Sequence, residues 1–307
     1  MKVGVNILNF GPGANPEALL SWACIAEGLG YHSVMISDHV AITPSVGQRY
    51  PEPFYDPFTT LSWLAGQTKK VRLGTTVIVL PYRHPVLMAR MVANIDNLSG
   101  GRFILGVGVG NAEDEFRTLG QPHRRRGALA DECLKAMLAL WQEPSLVSFH
   151  GKFFDFDGVS AIATAQKPHP PIWVGGNSPS ALRRAVLFGD AWHPILFRNL
   201  NIDAVTTQYL PELRRLAKEE GRSEPAFCPR IRLEITESPV DGEREAGRGS
   251  LEQVAADLTV LQKHGAEHVT LDWYTGDVEK TKDHPHGWQM LARLADEVLD
   301  LEAERLK

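Results

Sequence analysis

Cysteine is scarce in this chain. Cys24, Cys133 and Cys228 are the only three in 307 residues, scattered and each set among apolar neighbours. A disulfide framework is therefore excluded, and without a C-x-x-C pair thiol-redox chemistry loses its usual support. The three read as packing thiols in a reducing, cytoplasmic setting. Long apolar runs are missing too. No window approaches the roughly 20 residues of a membrane span, and the opening MKVGVNILNF is too short an apolar run for a signal peptide. Nor is positive charge in excess: Lys and Arg total 32 against 37 Asp and Glu, a net charge of −5. No membrane and no nucleic acid is expected as a partner. A G-x-S-x-G elbow and a P-loop are also absent, which weakens hydrolase and nucleotide-triphosphatase readings.

What is present is the material for a large core, with 43% hydrophobic and 22% charged residues. A chain of this length allows two domains or one α/β barrel. Apolar runs near residues 3–8, 33–37, 71–77, 103–107, 171–175, 191–196, 229–235 and 268–272 read as strands. Helical periodicity follows most of them. Helices open at Asn15-Pro16 and Pro57, run over 86–98, 126–141, 202–220 and 250–264, and a last one covers 288–306. Gly30, Gly221, Gly265 and the Ser99-Gly100-Gly101 run are helix stops. Strand–helix alternation without a break in composition predicts one domain over residues 1–307, a (β/α)8 TIM barrel. Residues 144–170 lack helical periodicity and are an insertion, a small hairpin turning near His150-Gly151-Lys152. The stretch from Asp241 to Ser250 is the most loop-like and the most mobile.

The stretch PIWVGGNSPSALRRAVLFGDAWHP, Pro171–Pro194, organises the rest. A buried strand (Ile172, Trp173, Val174) ends in Gly175 and Gly176. Asn177, Ser178 and Pro179 then start a helix. Free backbone N–H groups and the helix dipole at such a point favour an anion, although Gly-Gly could also be only a tight turn. In a TIM barrel the active site lies at the C-terminal ends of the strands. There this chain places Asn6 and Asn9, Asp38-His39, Thr75-Thr76, Gly106–Asn111, Gly175–Asn177, Trp192-His193 and Glu234. Asp38-His39 offers a group able to move a proton near neutral pH, with Asp38 orienting its neighbour or holding the loop, or else merely capping the next segment. GVGVGN lacks the G-x-G-x-x-G spacing of a dinucleotide fingerprint, and its glycines read as clearing space for a flat ligand. Glu113, Asp114 and Glu115 read as solvated helix-start charge. Arg124–Arg126 is a solvated run or a clamp for an anionic tail. Asp283, His284 and His286 read as a surface loop, and no metal site is expected.

ISDHV, VRLGTTVIVLPYRHPVLMAR, NLSGGRFILGVGVGN, RRGALADECLKAMLALW, FHGKFFDF and the Pro171–Pro194 stretch together resemble the luciferase-like monooxygenase superfamily over roughly residues 1–200. LGTTVIVLP-x-RHP combined with LSGGR-x-x-LGVGVG is most similar to its coenzyme F420-dependent oxidoreductase branch. That resemblance implies a homodimer exchanging a hydride between the deazaflavin and a small organic substrate. An FMN-dependent, oxygen-using monooxygenase and a catalytically silent flavin-binding protein are the alternatives. It implies that His39 sits by the cofactor ring and that Thr75, Thr76 and Val77 line its inner face, with a non-proline cis peptide at Thr76–Val77. Gly175, Gly176 and Asn177 would hold the phosphate, and Asp38, Gly108 and Trp192 would complete the cofactor site. The chain departs from the pattern at Asn111, where related enzymes carry a glutamate proton donor, and at Thr43, where some carry tryptophan. Asn111 is taken with His39 as a catalytic position. Loops 40–56 and 237–250 are expected to set specificity.

Overall fold

The computed structural model describes residues 1–197 and 200–307. Eight parallel strands alternate with helices. They are Lys2–Asn6, Ser33–Ile36, Arg72–Thr75, Phe103–Gly108, Ile172–Gly175, Ala191–His193, a seventh in two pieces (Ala226–Phe227 and Arg230–Arg232), and His268–Asp272. The first strand pairs with the second on one side and the eighth on the other. The eighth pairs with Arg230–Arg232. The seventh meets the sixth through Ala226–Phe227 and an Ile195–Arg230 bridge, which closes the ring. Parallel strands covered on both faces must be apolar on both faces, and the second strand is buried at every position.

The helices start where the sequence signals them. Asn15 accepts from the Ala18 N–H, Asp56 from Thr59 and Ser178 from Ala181. Ser250 and Gln253 form a reciprocal capping box. Most of the core lies between the sheet and its helices. Met35, Ile104, Trp173, Ala191 and Cys228 form a separate cluster inside the barrel. Each fully buried aliphatic side chain contributes about 1.5–3 kcal/mol, so the two clusters account for the barrel without any covalent staple. The insertion is the expected hairpin, Leu146–His150 paired with Asp155–Ser160.

Several boundaries differ from the sequence reading. The third strand stops at Thr75; after a bulge, Ile78–Val79 pairs with Val107–Gly108. Beyond Arg232 the chain leaves the barrel, and Glu234–Ile235 pairs with Arg248–Gly249. Segment 241–250 is tied down, because Arg244 grips Asp257 with both Nη atoms and Arg232 bonds Glu245. The segment read as the most mobile is thus anchored by ion pairs to the buried Asp257 and Arg232. The last helix is His284–Glu297, and Leu299–Asp300 then pairs antiparallel with Arg305–Leu306. Asp283 caps that helix, so Asp283-His284-Pro285-His286 is a helix start rather than a surface loop. Cys24 is exposed, unlike the buried Cys133 and Cys228, so it is not a packing thiol. Among the described residues no helix is long and apolar enough to cross a membrane.

Candidate active site

His39 follows the second strand at the C-terminal end of the barrel. Its Nδ1 lies 2.7 Å from Oε2 of Glu115, a residue with no exposed surface. A carboxylate can only accept, so Nδ1 carries the proton and Nε2 is the basic nitrogen. The other Glu115 oxygen accepts from the Val40 and Ala41 amides at 2.7 and 3.1 Å, and Oε2 also accepts from the Tyr82 hydroxyl at 2.9 Å. Burial alone would raise the Glu115 pKa, but the bonds from His39, Val40 and Tyr82 and the nearby imidazole hold it below the ordinary value. Glu115 was read from the sequence as solvated helix-start charge. It is the second member of a buried His–Glu pair, and only its place beside Phe116, which is itself fully buried, hinted at that.

Tyr50 stacks on the His39 ring with centroids 4.9 Å apart, and Phe54 meets it edge-on at 5.7 Å. His39 lines a cavity of about 450 Å³ together with Ser45, Val46, Arg49, Tyr50 and Asn111. The two sequence-predicted catalytic positions, His39 and Asn111, thus share one cavity. Asp38 plays the loop-holding part. Its carboxylate forms a bidentate pair with Arg83 at 2.7 and 2.8 Å and accepts from the Val79 amide, so it is spent on protein groups.

Beside His39 the chain makes the bulge between Thr75 and Ile78. The Thr76–Val77 peptide is cis, as expected from the sequence. Thr75 Oγ1 donates to the Gly106 carbonyl at 2.7 Å. A Cβ on Gly106 would lie 1.9 Å from the Thr75 carbonyl oxygen, and one on Gly108 would lie 2.7 Å from Val77 Cγ2. Gly175 faces Val77 Cγ1 at 3.2 Å by the same measure. Gly106 and Gly108 therefore make room for this Thr75–Val77 shelf, whereas a Cβ on Gly110 would meet Val79 and Phe116. Beneath the shelf, Thr76 Oγ1 meets Nε2 of His193 at 2.9 Å. His193 Nδ1 meets the Cys228 carbonyl. Burial in the barrel lowers the His193 pKa to about 4, so the ring is neutral.

At the fifth strand's end Gly176 adopts φ +101°, in the left-handed region that favours glycine. Gly176, Asn177 and Ser178 are exposed at the start of helix Pro179–Phe188. Trp192 does not face the mouth as expected. It is buried on the helix side of its strand against Tyr209 and Phe227, and its indole N–H supports the turn by donating to the Gly176 carbonyl at 2.8 Å. Strand alternation sends His193 inward and Trp192 outward. In the basic run, Arg126 bonds the Gly110 carbonyl and Arg125 lies over Phe153. Sequence reasoning passed over Tyr82, Arg230 and Asp272. The last two carried a signal, being charged residues inside apolar parallel strands.

A closed barrel with a histidine–carboxylate pair, a shelf and an open helix start on one rim is the layout of a barrel enzyme. The chain belongs to the luciferase-like monooxygenase family, whose model matches residues 1–300. It is an oxidoreductase, as the members of that family are. It is 30% identical over 224 residues to an F420-dependent glucose-6-phosphate dehydrogenase of Kineococcus radiotolerans, spanning 72% of this chain and 64% of that one. A monooxygenase of Streptomyces bottropensis has a similar structure at TM-score 0.78 and 23% identity, with 95% and 98% of the two chains covered. The oxygenating constituent of 3,6-diketocamphane monooxygenase from Pseudomonas putida, solved with FMN, superposes at TM-score 0.76 and 18% identity, with 97% of each chain covered.

Proposed function

We propose that this protein is a coenzyme F420-dependent oxidoreductase acting on a small organic substrate. The observation that carries the reading is His39, its tautomer fixed by the buried Glu115, lining a cavity at the end of the second strand, whose Ile36 carbonyl accepts from the Thr76 amide of the neighbouring bulge. The residues present fit such a cofactor. Gly176 offers a backbone without a side chain at an exposed helix start, where an anion gains roughly 0.3–1 kcal/mol from the dipole. Gly175, Gly176 and Asn177 hold the phosphate in this reading, and Thr75, Thr76 and Val77 support the ring. When bound, F420 supplies the hydride chemistry. The chain's own part is proton transfer and placement. His39 Nε2 takes or returns the substrate proton, Glu115 stabilises the imidazolium, and Tyr50 and Phe54 shield the imidazole from water. The likeness to an F420-dependent glucose-6-phosphate dehydrogenase supports the deazaflavin over FMN. We place the enzyme in the cytoplasm as a homodimer, which light scattering of the purified protein checks.

The test is a titration with F420 and FMN side by side, then turnover with and without oxygen over a panel of alcohols and aldehydes. F420 binding with oxygen-independent turnover is expected. FMN binding with oxygen-dependent turnover would replace the reading with a monooxygenase, and binding without turnover would indicate a silent flavin-binding protein. His39→Ala should keep cofactor affinity and lose about 10²- to 10⁴-fold in kcat. Unchanged turnover removes His39 from the mechanism.

A further inference from the structure

The barrel contains a charged pair that the chemistry above does not use. Arg230 on the seventh strand bonds Asp272 on the eighth through Nη2 at 2.7 Å and Nε at 3.2 Å. Both are buried, with relative exposures of 8% and 1%. Asp272 Oδ1 also accepts from Asn6 Nδ2 at 2.9 Å, and from the Tyr274 amide. Phe197 lies over the guanidinium of Arg230 and that of Arg232. A buried ion pair is a poor stabiliser, since removing two charges from water offsets most of their attraction, and apolar replacements are often neutral. Stability therefore does not explain this pair.

Its remaining bonds do. Arg230 Nη1 donates to the Thr76 carbonyl at 2.8 Å and to Thr76 Oγ1 at 3.0 Å. That fills both acceptors Thr76 presents downward, so the Thr76 hydroxyl proton must go to His193 Nε2, with His193 Nδ1–H on the Cys228 carbonyl. The donors run in one direction, Arg230 to Thr76 to His193 to the seventh strand's own backbone. The Thr76 segment is thus pinned from below at both its carbonyl and its side chain by groups whose places are set by the seventh and eighth strands and by the first through Asn6. Rigid supports of this kind hold a site to the tolerance that chemistry needs.

We infer that Arg230, seated on Asp272, is a positioning residue that fixes the height and tilt of the Thr76–Val77 shelf under the cofactor ring. This rests on the functional reading above, and it assigns to a strand on the far side of the barrel control over where the ring lies. Arg230 acts through Thr76, which it holds at both the carbonyl and the hydroxyl.

The test compares wild type with Arg230→Met/Asp272→Asn, which removes both charges together and leaves no unpaired buried ion. Hydrogen exchange of segment 72–80 is followed in the ligand-free protein, and F420 is then titrated by absorbance. In the double variant exchange of the segment should be faster by at least about tenfold, the loss of the two hydrogen bonds Arg230 gives Thr76. F420 should bind about tenfold more weakly, its bound absorption band shifting towards that of the free cofactor. Arg230→Lys, which keeps the charge on a single donor nitrogen, should recover part of both effects. A folded double variant with wild-type exchange, affinity and bound spectrum overturns the inference. If the double variant does not fold, Thr76→Val removes only the hydroxyl link; exchange at wild-type rates with an unchanged spectrum then overturns it. Should wild type bind neither F420 nor FMN, the functional reading fails, and the exchange measurement alone decides whether Arg230 holds the shelf.

Discussion

Replacing Glu115 by Gln keeps the shape of the side chain and removes its charge. The carboxylate receives four hydrogen bonds, from His39, Val40, Ala41 and Tyr82. A glutamine has one carbonyl oxygen, and the Val40 and Ala41 amides, which can only donate, claim it. The amide N–H₂ is then turned towards His39 Nδ1 and the Tyr82 hydroxyl, and a donor facing Nδ1 forces the proton onto Nε2. His39 keeps its position and loses its basic nitrogen. General acid–base assistance is typically worth about 10²- to 10⁴-fold, so kcat should fall within that range while cofactor affinity is retained. The stability cost is about 1.5–3 kcal/mol for the charged hydrogen bonds, within the reserve of a barrel of this size. The assay is steady-state kinetics of Glu115→Gln, His39→Ala and the double variant, with cofactor Kd alongside. Because the two residues act as a unit, the double variant should be no slower than His39→Ala alone. Multiplicative losses, or a Glu115→Gln enzyme with wild-type kcat beside an impaired His39→Ala, would refute the coupling.

Gly176→Val should weaken binding of the whole cofactor by at least about tenfold and barely affect a fragment lacking the phosphate. The residue sits at φ +101°, and its Cβ would lie 3.1 Å from that of Ala181. Titration of both ligands checks this, and equal weakening would mean that the glycine serves only the turn. Stability should fall on acidification below about pH 6.5, the ordinary histidine value. His193 and His268 are both buried with lowered pKa values, His193 to about 4. Between the folded and unfolded values the unfolded chain binds more protons, so ΔG of unfolding rises with pH there. His193 alone should account for about 3 kcal/mol between pH 6.5 and 4. Thermal melts over that range test the sign; a melting temperature that holds or climbs on acidification would be inconsistent with neutral buried rings.

The fold was legible because its signals are local. Asn15-Pro16 and Ser178-Pro179 each mark a helix start from within four residues of sequence, and buried parallel strands advertise themselves as apolar runs. The site was legible where a residue's own chemistry marks it, as with His39, or where backbone freedom does, as with Gly176. It was not legible where the role depends on what arrives from elsewhere. Glu115 becomes a buried acceptor only because the segment after the second strand, 76 residues away in the sequence, lies across its helix. Trp192 and His193 are adjacent, yet the pleat assigns one to the helix layer and the other to the barrel interior. Arg230 and Asp272 stand out as charges within apolar strands, but that they face each other emerges only when the seventh and eighth strands are paired.

The glycines of the fourth strand act as a mould for the third. Gly106 and Gly108 leave the volume into which the Thr75 carbonyl and the Val77 methyls descend, so the path of the third strand's bulge is set by side chains that the fourth strand lacks. An added methyl at Gly108, 2.7 Å from Val77 Cγ2, would force the Val77 side chain away from the fourth strand. Residues 75–77 and 106–108 are therefore a single sterically coupled unit, and a substitution that adds bulk on one strand has to be matched by a loss of bulk on the other.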